Sequence, residues 1–79
     1  MTRREKLLTK AIDNPAGLSF RELEALLEQY GWVFRRQSGS HRIWKSPGGA
    51  IVPIQPANGG AKEYQVKQIL RMLENRDDS

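Results

Sequence analysis

Seventy-nine residues, thirteen of them Lys or Arg against nine Asp or Glu, give a small chain with a net charge of +4. A chain of this length buries only about 60% of the surface its unfolded form exposes, so a single domain spanning residues 1–79 around one modest core is expected. Cysteine is absent, which excludes disulfides and thiolate metal sites, and the apolar runs are too short for a membrane span. The opening Met1-Thr2-Arg3-Arg4-Glu5-Lys6 has charge with no apolar core behind it, unlike a signal peptide, so the cytoplasm is the expected location. The positive balance favours contact with a polyanion or an acidic protein.

Residues 3–13 predict a short helix, with Leu7, Leu8, Ala11 and Ile12 on one face of a 3.6-residue period. Asn14-Pro15-Ala16-Gly17 ends it, because the residue before a proline is pushed out of the helical region. Ser19 followed three residues later by Glu22 is a capping-box pattern and opens a helix at 20–30. Its apolar stripe is Phe20, Leu23, Leu26, Leu27 and Tyr30, and Gly31 is the expected residue just past its end. The period then changes. Trp32 to Gln37 and His41 to Lys45 read as two strands around a Ser38-Gly39-Ser40 turn, and 50–54 reads as a third strand after Ser46-Pro47-Gly48-Gly49. Connections this short require an antiparallel meander, and Pro53, which cannot donate to a ladder, predicts that the third strand lies at an edge or ends near there. Residues 55–60 read as a mobile loop, 62–74 as a last helix burying Val66, Ile69, Leu70 and Leu73, and 75–79 as a frayed tail. The expected fold class is α+β, a two-layer sandwich in the order α-α-β-β-β-α. Helices 20–30 and 62–74 cover one face of the sheet, and the other face is left to solvent or a ligand.

The acidic residues lie in the two flanks. None occurs from Gly31 to Ala61, so Arg35, Arg36, Arg42 and Lys45 read as unopposed. The only histidine, His41, stands among them after a Ser-Gly-Ser turn. By itself a solitary histidine in a basic domain is more often a plain strand residue. Trp32 and Trp44 could stack on unpaired bases, but tryptophan in a short strand is more often core, and core is the expectation for both. Arg35 and Arg36 should face opposite sides of their strand, so only one of them serves a site with His41. Strand pattern alone does not assign His41 to a face, since Ile43 shares its parity and Trp44 does not.

The element order from residue 20 onward resembles the double-stranded-RNA-binding fold. Gly31-Trp32 opening the first strand, then Arg36-Gln37-Ser38-Gly39-Ser40-His41, resembles the signature of the HicA toxins of bacterial toxin–antitoxin pairs. The resemblance covers roughly residues 20–73 and implies a metal-independent endoribonuclease (an mRNA interferase) that a HicB-type antitoxin inhibits by masking the active histidine. It implies His41 as the catalytic residue and gives a HicA-like core at 18–74 preceded by an extra helix and linker at 1–17. The chain departs from the family pattern in three places. Gln55 stands where a second histidine often follows the third strand's proline, the last helix opens on Ala61-Lys62-Glu63, and helix 3–13 is additional.

The residues permit that chemistry independently. RNA cleavage through the 2′-hydroxyl needs a proton acceptor, a proton donor and positive charge on the phosphorane. An imidazole titrates near neutral pH and can act as acid or base; a neutral ring acting as base at pH 7 is the expectation among these cations. Arg36, Arg42 and Lys45 are candidates to hold phosphate, guanidinium doing so through a bidentate fork, and Ser40 shapes the turn beside them. Without carboxylates near this patch and without cysteine, neither a metal site nor another cofactor is expected. Two other classes fit less well. A non-catalytic double-stranded-RNA-binding module would load lysines at the start of its last helix, where this chain has Lys62, Glu63 and Tyr64. A winged-helix DNA-binding protein would insert helix 20–30 into a phosphate-lined groove, against Glu22, Glu24 and Glu28.

Overall fold

The structure, a computed structural model, describes residues 3–75, with side chains for residues 5–74. Helix α1 spans Arg3–Asp13 and α2 spans Phe20–Gln29, with a single 3-10 turn at Pro15–Gly17 between them. Three strands follow, β1 Val33–Ser38, β2 His41–Lys45 and β3 Ile51–Ile54, then a two-residue pair, β4 Pro56–Ala57 with β5 Gly60–Ala61, and α3 at Glu63–Asn75. The main sheet is antiparallel in the order β1-β2-β3. The α+β order α-α-β-β-β-α is therefore that expected, and Pro53 lies on an edge strand.

Local chemistry accounts for the ends of α2. The Ser19 hydroxyl accepts from the Glu22 N–H at 3.0 Å while the Glu22 carboxylate accepts from the Ser19 N–H at 3.0 Å, which completes the capping box. At the other end Gly31 has φ +86°. Its N–H donates to Glu28 O and that of Trp32 to Leu27 O, the paired bonds of a Schellman motif. This stop turns the chain directly into β1.

The core lies between the sheet and α2 and α3. Leu23, Leu26 and Leu27 of α2 and Val66, Ile69 and Leu73 of α3 are buried with Trp44, Val52 and Ile54 from one face of the sheet. Trp32 joins them, so both tryptophans are core residues. Leu70, expected to be buried, is only partly so. Position 65 is instead occupied by a buried glutamine whose side-chain oxygen accepts from the Gln55 N–H at 3.1 Å. Helix α1 packs on α2 and α3. Its Ala11 is fully buried, Leu7 and Leu8 are partly so, and Ile12, read as part of the same face, is exposed.

The segment read as a loop is structured. Asn58 at φ +53° and Gly59 at φ +83° form a two-residue turn with positive φ at both positions, the type I′ geometry that matches strand twist. The Ala61 N–H donates to Leu18 O at 2.9 Å and the Phe20 N–H to Gly59 O at 3.3 Å, tying this hairpin to the start of α2. An Asn-Gly pair is a strong hairpin signal only between recognisable strands, and two-residue strands carry no readable period. The tail read as frayed lies outside the described residues except for Asn75, which closes α3.

Candidate active site on the open face of the sheet

The β1–β2 hairpin places His41. Ser38 pairs with His41, leaving Gly39-Ser40 as a two-residue turn, with Gly39 at φ +61° in its first central position. Only glycine takes that conformation freely. Ser40 thus occupies the turn, beside His41, as expected. The Gln37 side-chain amide donates to Gly39 O at 3.0 Å and ties the turn to its strand.

Register divides the sheet residues between two faces. Trp44 is buried and Arg42 meets α2, so even-numbered β2 positions face the helices. His41, Ile43 and Lys45 therefore occupy the open face, with Ile51 and Pro53 of β3 opposite Lys45 and Ile43. On β1 the ladder slips between Phe34 and Arg36. Phe34 pairs with Trp44 on the helix side, yet Arg36 pairs with Ile43 on the open side. Without the bulge, strict alternation would send Arg36 to the same face as Phe34. The extra residue, Arg35, re-aims Arg36 onto the face of His41, as a β-bulge does. The open face thus brings together His41, Arg36 and Lys45, all exposed, with Val33, Ile51 and Pro53 exposed around a half-buried Ile43. Among the described residues, the His41 ring makes no hydrogen bond or ion pair.

Arg42 is the exception to this grouping. Its Nε donates to the Glu24 carboxylate, its Nη1 to Gln37 Oε1 at 3.0 Å, and its guanidinium carbon lies 4.2 Å from the Phe34 ring centroid. The same Glu24 oxygen accepts from the Trp44 indole N–H at 3.1 Å. The reading of Arg42 as an unopposed cation is thus corrected: an acid distant in sequence reaches it from α2. Among the described residues its Nη2 makes no hydrogen bond. The helix pattern alone groups Glu24 with the outward-facing Glu22 and Glu28. Its position, four residues after Phe20 and three before Leu27, sets it on the border of the buried stripe, and that was the available signal.

None of the groups around His41 on the open face is acidic. Among the described residues no three His, Cys, Asp or Glu side chains converge as a metal site would require, and no helix is long and apolar enough to cross a membrane. The surface can therefore offer an imidazole, two cations and aliphatic area, which suits a phosphate-bearing ligand. Comparison with known proteins agrees with the hairpin signature. Neither the curated proteins nor the solved structures yield a match. The model of one family, described as the HicA toxin of bacterial toxin–antitoxin systems, matches residues 20–74. This match spans α2 through all but the last residue of α3 and includes the whole of the open face, so the chain belongs to the HicA toxin family, the toxin members of bacterial toxin–antitoxin pairs.

Proposed function

We propose that this toxin is a metal-independent endoribonuclease that cleaves mRNA, with His41 as general acid/base. The observation that carries the reading is an exposed, unpaired imidazole on a sheet face that holds Arg36 and Lys45 and lacks any acid. His41 takes the proton of a 2′-hydroxyl as that oxygen bonds to phosphorus, and the P–O5′ bond then breaks. The leaving oxygen takes its proton from water, which the open face admits, and the proton that His41 then releases neutralises the hydroxide formed. Lys45, on the same face, and Tyr64, on α3, are the other candidate proton donors that the sequence offers. Arg36 and Lys45 bind phosphate oxygens and offset the charge of the phosphorane. Ser40 hydrogen-bonds the RNA backbone from the turn, while Arg42, on the helix-covered side and bonded to Glu24, stays out of the contact.

The toxin acts in the cytoplasm and is held inactive by a HicB-type antitoxin. That partner covers His41 and sets acidic groups against Arg36 and Lys45.

The test is expression and assay of the native chain beside His41→Ala. Because the His41 ring is exposed and makes no hydrogen bond among the described residues, the variant should keep its circular dichroism spectrum and melting temperature. Cleavage should fall by about 10²–10⁴-fold, the usual contribution of a positioned acid or base, and growth arrest should disappear. A chelator should leave the native rate unchanged. Equal cleavage by the two proteins would remove His41 from the mechanism, and RNA binding without cleavage by the native chain would favour a binding module.

A further inference from the structure

The three groups on the open face are evenly stepped. Arg36 lies opposite Ile43, diagonal to both His41 and Lys45, and diagonal neighbours in an antiparallel pair are about 7–8 Å apart. Four residues of strand separate His41 from Lys45, or about 13 Å. The line His41, Arg36, Lys45 therefore runs along the β1–β2 side of the sheet, with Arg36 midway. On the β3 side of that line the face is aliphatic: Ile43, Pro53 and Ile51, the last 57% exposed.

We propose a path for the substrate: the RNA strand lies extended along β2. Consecutive phosphates meet His41, Arg36 and Lys45, and the bases lie toward β3 over Ile43, Pro53 and Ile51. This rests on the ribonuclease reading above and gives its substrate a path across the face. Three physical features carry it. The step between the groups suits neighbouring phosphates of an extended chain. The face lacks the acid that would repel them. The base side is apolar and free of aromatic rings and amides, so it accepts an unstacked base without reading which one it is. A duplex hides its base faces within its own stack and would leave the aliphatic half of the surface unused.

The experiment uses the native protein and an uncleavable 2′-O-methyl hexanucleotide, with the matching dinucleotide and a duplex of the same chemistry. Binding is followed by fluorescence anisotropy across a salt series. The hexanucleotide should bind more tightly than either of the others. Lys45→Gln should weaken the hexanucleotide about tenfold, the loss expected for one charge-assisted contact. It should also lower the slope of log affinity against log salt by about 0.7, and leave the dinucleotide, too short to reach from His41, unchanged. Ile51→Glu, at an exposed position that does not bear on folding, should weaken the hexanucleotide as well. Tighter binding of the duplex, a Lys45→Gln effect equal on both lengths, or an unchanged salt slope would overturn the path. So would failure of any hexanucleotide to bind, which would leave the face to an acidic protein. Because the probe cannot be cut, these outcomes are independent of whether His41→Ala abolishes cleavage.

Discussion

At the scale of single residues, Glu24 does the most that its sequence context conceals. One carboxylate oxygen accepts from both the Arg42 guanidinium and the Trp44 indole, and so joins α2 to β2 one residue beyond His41. Its side chain is only 20% exposed, so its removal leaves two donors with poor access to water. Glu24→Ala should destabilise the fold by about 1–3 kcal/mol, read from the urea midpoint. Glu24→Gln, which keeps an acceptor for the indole, should cost less. Equal stability of native and alanine proteins would show that the pair is solvated and contributes nothing. The bulge at Arg35 works at the same scale: one unpaired residue puts Arg36 on the face of the imidazole, which strict alternation would deny it.

At the scale of an element, α2 is the best determined piece of the chain. Its capping box also carries a pH response. The Lys10 ammonium, 2.7 Å away, and then the Ser19 N–H hold the Glu22 carboxyl below its ordinary value of 4.5. With the folded value below the unfolded one, protonation favours the unfolded chain. The contribution is therefore complete above about pH 4.5 and is lost as pH falls through the folded value. Both side chains are substantially exposed, so the effect is small. Melting temperatures measured from about pH 6 to about pH 3 should show the native protein above Glu22→Gln at the upper end and converging on it in acid. A gap that does not change with pH would rule out this linkage.

At the scale of the whole molecule, α1 lies outside the family-matched residues 20–74 yet is part of the core. Ala11 is fully buried where α1 meets the other helices. Ala11→Asp would bury a carboxylate within an apolar cluster. It should lower stability by about 3 kcal/mol or more, detected as a large fall in melting temperature, whereas Ile12→Asp at a 59% exposed site should change it little. Equal tolerance of both would mean that α1 is an appendage and not part of the fold.

Much of this was legible in the chain because it is local chemistry. A cap needs Ser19 and Glu22 three residues apart, a helix stop needs Gly31, and a meander follows from turns too short for any crossover. The hairpin signature around Gly39-Ser40-His41 likewise carried the family, since the motif is contiguous. Three things depended on residues far apart in sequence. The face that carries His41 was settled by which side of β2 the helices cover. The company of Arg36 was settled by a bulge, which no period-2 pattern announces. The fate of Arg42 was settled by Glu24, eighteen residues earlier. Sequence fixes what each residue can do with its near neighbours. Only packing decides which distant side chains share a surface, because burial and register are properties of the assembled layers and not of any one segment.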